Sequence, residues 1–326
     1  MHAKHITDLT LTNFRGFGKL ELKGLQSVNL IVGQNNVGKS SLLEGLLLAA
    51  NPEQMRRLAG MLHGKVTISG YEDEPDPLFD RWIIKDGDTK STVEATGAEF
   101  QNYLVLGKAE AQKKPSDCKH TVYHTKECMI WQKEKASALR LRVVSALPSS
   151  ARSMVTTVGN ALRKRSGEDL IHSVLKKVDS RIQRIRVDPV EGGNIVAVDI
   201  GLSEMIPMSQ AGQGAVRLVS MLAELIGENA QICIIDEIEN GIHHTALKDL
   251  WRGIAEISAA MGVQVFATTH SQECLTAAHE VFFAEDAENK HDFAVVQLMR
   301  VKDQVIGKVL TEARVDDALE NDIELR

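Results

Sequence analysis

The chain has 326 residues, 43% of them hydrophobic and 25% charged, which is room for one large domain or two smaller ones and unlike a collagen, a low-complexity chain or a disulfide miniprotein. Aromatic residues make up only 4%, which argues against an all-β sandwich or a base-stacking surface as the main architecture. The net charge of −6 confines any nucleic-acid contact to a local basic patch.

Residues 1–50 read as an α/β unit. Ile6-Thr7-Asp8-Leu9-Thr10-Leu11 alternates apolar and polar positions, the period of a half-buried strand. The chain turns at Phe14-Arg15-Gly16-Phe17, and Lys19-Leu20-Glu21-Leu22 alternates again. Val28-Asn29-Leu30-Ile31-Val32 is a third strand, ending at Gly33. A helix then carries Leu42, Leu43, Leu46, Leu47 and Ala50 at helical spacing. This longest apolar run, 42–50, contains Glu44 and is far short of the roughly 20 residues of a membrane span. The start of the chain lacks an apolar h-region and a small-residue cleavage site. Four cysteines (Cys118, Cys128, Cys233, Cys274) in so long a chain do not make a disulfide framework. A soluble, cytoplasmic protein is expected.

Further along, Glu72-Asp73-Glu74-Pro75-Asp76-Pro77 reads as a charged, proline-broken loop, and residues 82–88 as a strand running into a turn. Between 133 and 187 thirteen Lys or Arg face four acids, whereas 280–326 holds twelve acids against six bases, so charge is segregated along the chain. The last third returns to alternation. It has a helix over 215–227 with Val216, Val219, Leu222, Leu225 and Ile226 on one face, a buried strand at 231–235, a helix near 244–260 and a strand at 263–268. Such alternation predicts a mostly parallel sheet flanked by helices.

Gly33-Gln34-Asn35-Asn36-Val37-Gly38-Lys39-Ser40, followed by Ser41, fits the phosphate-binding pattern G-x-x-x-x-G-K-[ST] between a strand and a helix. Its glycines let backbone N–H groups wrap a phosphate at the positive helix end. Lys39 is placed to reach the β- and γ-phosphates of a nucleotide and Ser40 to ligate Mg²⁺. Asp236 closes an apolar strand, where a carboxylate joins the Mg²⁺ shell, and Glu237 beside it is placed to polarise water. Ser209-Gln210-Ala211-Gly212-Gln213-Gly214 opens a helix as a second anion site without a lysine. His270 ends the strand after Asp236, where ligands bind in α/β sheets.

That order of motifs resembles the ABC-type ATPases, in particular the branch of RecF, the SMC proteins and the ATPase module of OLD-family nucleases, over residues 1–50 and 200–326. Asn13-Phe14-Arg15-Gly16-Phe17 resembles the branch's N-terminal strand–turn. Asp236-Glu237-Ile238-Glu239-Asn240-Gly241-Ile242-His243 resembles its Walker B and D-loop, and Ala267-Thr268-Thr269-His270-Ser271 its switch histidine. The resemblance implies an α/β, ABC-type P-loop ATPase core with a mostly parallel sheet, an N-terminal β-rich part and a helical insertion. The core halves would be 1–56 and 201–326, with 57–200 as insertion or arm and helical subdomain. It implies ATP and Mg²⁺ as cofactors. Gly33, Asn35, Asn36, Gly38, Lys39, Ser40, Ser41 and Arg15 would bind the nucleotide, Ser40 and Asp236 the metal, and Glu237 and His270 would be catalytic. Two chains would pair head-to-tail, Ser209, Gly212 and Gly214 of one closing on ATP held by the other.

The signature reads Ser-Gln-Ala-Gly-Gln where transporters have Leu-Ser-Gly-Gly-Gln, and Gln101 stands in for the Q-loop glutamine. The chain has no long heptad coiled coil, and the 56 residues after His270 are too few for a Toprim nuclease. It therefore looks like a stand-alone AAA-family ATPase of the kind found in phage-defence systems, a slow regulator whose nuclease or toxin effector is another chain. A RecF-like repair clamp holding DNA through the basic stretch 133–187, densest at Arg163-Lys164-Arg165, is the alternative. A small-molecule kinase is disfavoured by the signature and His270. Cys118, His120, His124 and Cys128 match no common structural zinc spacing and fit a strand and hairpin better. His243 and His244 fall in the D-loop, and Cys233 and Cys274 read as core thiols.

Overall fold

A computed structural model of the chain describes residues 4–54, 90–108, 114–124, 128–146, 151–227, 229–283, 292–321 and 325. The loop expected at 72–77 and the strand at 82–88 lie outside the described residues. The N-terminal strands are β1 (Asp8–Phe14), β2 (Phe17–Lys23) and β3 (Val28–Val32), and the phosphate loop leads into helix α1 (Lys39–Ala50). Five strands follow: β4 (Lys90–Thr96), β5 (Gln101–Lys108), β6 (His120–His124), β7 (Cys128–Gln132) and β8 (Leu141–Val144). Helices α2 (Ala151–Leu162) and α3 (Arg165–Val178) precede β9 (Arg184–Val190), β10 (Gly193–Asp199) and β11 (Ile206–Pro207). The C-terminal part comprises α4 (Gln213–Ile226), β12 (Ile232–Ile235), α5 (Leu247–Met261), β13 (Gln264–Thr268), α6 (Gln272–Phe282), β14 (Phe293–Val301), β15 (Gln304–Leu310) and α7 (Glu312–Glu320).

Among the described residues three sheets result. The core sheet has the order β15-β14-β3-β13-β12-β8, parallel except for the β15 edge. An antiparallel sheet has the order β2-β1-β4-β5-β7-β6, and a small third sheet the order β11-β10-β9. The period of two along each core strand divides the interior. Ile31, Ile232, Ile234 and Phe266 pack with α1 and the antiparallel sheet. Leu30, Cys233, Ile235 and Val265 pack with the helices of the opposite face. Both faces of the core sheet are thus covered, as a parallel sheet requires, and α1 lies between two sheets with its helix axis behind the phosphate loop.

The stretch 57–200, expected as an insertion or arm and a helical subdomain, contributes strands to both main sheets beside its helices. Among its described residues it is helical only over α2 and α3. β4 to β7 extend the sheet begun by β1, with Leu9 opposite Ala95, and β8 pairs with β12, Ile234 opposite Val143. A boundary at residue 56 therefore separates hydrogen-bonded partners. Short polar strands such as Lys90–Thr96, with three buried positions, carry little periodic signal of their own; cross-strand pairing makes them strands.

Glu224 of α4 is largely buried between Arg142 of β8 at 3.7 Å and the Thr157 hydroxyl of α2, which donates to it at 3.0 Å. Burial outweighs both partners and holds its carboxyl above the ordinary value of 4.5. A carboxyl raised in the fold contributes stability that is present below its unfolded value and lost as pH rises through the folded one. Glu224→Gln, which keeps an acceptor for Thr157, is expected to be more stable than the parent at about pH 7 and not at about pH 4. Urea melts at the two pH values check this.

Candidate functional site

Gly33 closes β3 and Gly38, at φ 112°, caps α1. A Cβ on Gly38 would lie 3.0 Å from the ring of Phe17, so the strand–turn that carries Arg15 presses directly on the phosphate loop. Asn35 and Asn36 are exposed at the loop tip, Asn36 with φ 61°. No side chain caps α1 and its first turn holds no acid. The N–H groups of that first turn, which includes Lys39, Ser40 and Ser41, therefore suit an anion, the arrangement a nucleotide phosphate needs. The Lys39 ammonium donates to the loop's own carbonyls, Gly33 at 2.6 Å and Gln34 at 3.1 Å. Burial lowers its pKa, opposed by the charges of Glu239, Asp236 and Glu237.

Those acids come from the end of β12. The neighbouring strand supplies their anchor: the buried Thr268 hydroxyl donates to Asp236 Oδ1 at 2.6 Å and accepts the Glu237 N–H at 2.8 Å. Glu237 holds φ 47°, a conformation unusual for a side-chain-bearing residue and found at functional sites. Two residues beyond Thr268, the His270 N–H donates to Glu239 Oε1 at 3.0 Å. The His270 ring Nδ1 lies 3.2 Å from the same oxygen and 4.0 Å from Glu237 Oε1. Asp236, Glu237 and His270 are legible in the sequence. Thr268 is not, since its only signal is a place at the end of a strand next to the histidine.

The Ser209–Gly214 segment forms a 3₁₀ turn over Met208–Gln210 and then the start of α4. Ser209 and Gly212 are exposed, and Gly212, at φ 100°, caps α4 without a side-chain bond. Gly214 serves packing instead. A Cβ there would meet the Gly241 carbonyl at 2.8 Å, so α4 rests against the turn after β12. Arg217, one turn on, donates to the carbonyls of Asp236 at 3.0 Å and of Ser145. Burial lowers its pKa against the pull of the three acids. Among the described residues no hydrogen bond joins Ser209, Gly212 or Gly214 to the phosphate loop.

With this geometry in place, the comparisons with known proteins are decisive. A family profile described as AAA ATPase domain matches residues 5–135 and 144–275. The chain belongs to this ATPase family. A protein of Helicobacter pylori (strain ATCC 700392 / 26695) named ATP/GTP phosphatase is 22% identical over 333 residues, covering 86% of this chain and 89% of that protein. The fold is that of SMC heads. A head bound to the C-terminal winged-helix domain of ScpA superposes with a TM-score of 0.57 at 12% identity, covering 96% of this chain and 100% of that one. The SMC head domain from Thermotoga maritima gives 0.53 at 12% identity, over 94% and 100%. The chain is thus a P-loop ATPase whose fold is that of SMC heads.

The remaining candidate residues of the ATPase are placed as follows. Arg15, at φ 52°, is held by Glu44 of α1 at 2.7 Å, both side chains nearly buried. Gln101 opens β5 opposite Thr96 in the antiparallel sheet. Cys118, just before β6, and Cys128, the first residue of β7, belong to different apolar clusters, Cys118 with Val105 and Trp131, Cys128 with Leu104 and Ile130. Cys233 and Cys274 are fully buried, and burial raises both thiols, Cys274 to about 12. His243 and His244 are exposed and tilted against each other at 4.2 Å. Part of the basic stretch is paired within the chain. Lys164 caps the end of α4 through the carbonyls of Ile226 and Gly227, and Arg140 bonds the Asn229 carbonyl. Arg142, Lys177, Arg181 and Arg186 pair with Glu224, Glu256, Asp179 and Asp188.

Removing the Thr268 hydroxyl in the near-isosteric Thr268→Val leaves the Glu237 N–H without an acceptor. We expect a loss of about 1–3 kcal/mol in chemical denaturation, and a fall in kcat larger than any rise in KM. Gly38→Ala forces a positive φ and a clash with Phe17. Nucleotide binding, read by a fluorescent ATP analogue, is expected to be lost while the fold, read by circular dichroism, persists.

Proposed function

We propose that this ATPase acts as an ATP-dimerised sensor that regulates a protein effector, a nuclease or toxin on another chain, in anti-phage defence in the cytoplasm. One observation carries the dimer: the signature end of α4 is exposed and uncapped at Gly212, while its flank is fastened to the Walker B turn through Gly214 and Arg217. A helix N-terminus presented outward with Ser209 beside it suits a phosphate held by a second chain. Within each site Lys39 and the N–H groups of the loop from Gly33 to Ser41 hold the triphosphate, with Asn35 and Asn36 at its rim. Ser40 and Asp236 would hold Mg²⁺, which would supply charge neutralisation at the triphosphate. Glu237 takes a proton from the attacking water, and His270 contacts the γ-phosphate. Arg15 supports the loop through Glu44 and α1. A protein partner is in keeping with the SMC head that was solved on ScpA, and the defence role with the resemblance to OLD-type systems. Turnover is slow, since hydrolysis times a conformational state.

The repair-clamp reading keeps one supporting feature, an open cleft of about 510 Å³ lined by Arg163, Arg184 and Arg186 with Asn160 and Asn194. Six of the thirteen basic residues of 133–187 already hold hydrogen bonds or ion pairs within the chain among the described residues.

Glu237→Gln is expected to bind ATP, to hydrolyse it at least about 100-fold more slowly, and to run as a dimer in light scattering only with Mg-ATP. Hydrolysis at the parental rate would remove Glu237 as the base, and a monomer in Mg-ATP would remove the sandwich. Captured from its native host in Mg-ATP, the same variant should carry a stoichiometric protein partner. Nucleic acid alone in the eluate would move the assignment to the clamp.

A further inference from the structure

Glu239 is the acid of this cluster to which the reaction outlined above gives no role. Its side chain is 11% exposed, against 46% for His270 and 41% for Glu237. The turn that bears it is tied down on both sides. The Ile238 N–H donates to the Thr268 carbonyl at 3.0 Å and the Ile242 N–H to the Glu239 carbonyl at 2.9 Å, while the Asn240 amide reaches the Ala146 carbonyl at 2.9 Å. On this fixed base a single oxygen, Oε1, faces both the backbone N–H and the ring Nδ1 of His270. Its other oxygen, Oε2, is buried and has no hydrogen-bond partner among the described residues.

We propose that Glu239 is the positioning residue for His270. A carboxylate oxygen 3.2 Å from Nδ1 favours the tautomer with the proton on that nitrogen, which turns Nε2 to the nucleotide. The backbone bond to the same oxygen fixes the residue from which the ring projects, so rotation and tautomer are set together. The arrangement also protects Glu237. Its carboxylate stands 4.0 Å from the same Nδ1, and an imidazole released by Glu239 would turn to it and occupy the oxygen that water needs. Burying Glu239 while leaving Glu237 more open to solvent separates the two acids into a fixed orienter and a carboxylate facing the reaction.

The inference rests on the reading of His270 given above, and its test has an arm independent of hydrolysis. In the full chain with ¹⁵N-labelled histidine rings, the His270 signal is assigned by its loss in His270→Ala. The nucleotide-free parent should show Nδ1 protonated. In Glu239→Ala the signal should move to the Nε2-protonated form, kcat should fall roughly 10- to 100-fold, and KM for ATP should stay within about twofold. Glu239→Gln, which keeps an acceptor in place of Oε1, should restore most of the parental tautomer and rate. Adding His270→Ala to Glu239→Ala should cost less than about a further twofold, because a positioning residue acts through its partner. An unchanged tautomer in Glu239→Ala overturns the proposal, as do losses that multiply in the double variant. A tautomer that moves while His270→Ala hydrolyses ATP at the parental rate upholds the positioning and overturns only the role assigned to His270.

Discussion

One hydroxyl group organises this site. Parallel pairing sets Ile235 of β12 opposite Ala267 of β13, and Thr268 opposite Ile31 of β3, so the three strands whose ends carry chemistry finish together. Thr268 then joins two of them, donating to Asp236 and accepting from Glu237. The positive φ of Glu237 costs on the order of 1–3 kcal/mol for a residue with a side chain. It persists because the bond to Thr268 and the cover of the surrounding core over-determine it. Elements farther out, the Glu239 turn and His270, depend on the same junction: the Ile238 N–H takes the carbonyl of Thr268 as its acceptor.

Helix α4 links this junction to the surface. Its first residues are the exposed signature, its second turn places Arg217 on the Asp236 carbonyl, and its last turn is capped by Lys164 from the region between α2 and α3. A displacement at the exposed end therefore reaches Asp236 through one rigid helix and one largely buried guanidinium. The close approach of Gly214 to Gly241 removes the slack that a side chain would introduce. Lys39 completes the arrangement by bonding its own loop, which keeps a half-buried ammonium satisfied.

Charge along the chain proved a poor guide to charge on the surface. The excess of Lys and Arg between 133 and 187 suggests a basic face, but six of the thirteen side chains serve helix ends, loop carbonyls and ion pairs within the chain. Lys164 at the negative end of α4 is the clearest case. Linear clustering reports only neighbours in sequence, whereas partners such as Glu224 and Glu256 arrive from elements about 80 residues away.

The sequence by itself determined the phosphate loop, the acidic strand end and the positions of Gly212 before a helix and His270 after a strand, together with the parallel core, because each is a short-range pattern: fixed spacing around glycines, or apolar runs bounded by turns. It did not disclose that β4 to β8 belong to the two main sheets, since their pairing energy lies in contacts with β1 and β12 that no local period records. Nor did it single out Thr268, Arg217 or Glu239, which are ordinary residues until the fold sets a hydroxyl, a guanidinium and a carboxylate against particular backbone groups. Local pattern fixes which residues can do chemistry. Only the tertiary structure decided which neighbours hold them in position, because hydrogen bonds between strand ends depend on distances in space rather than in sequence.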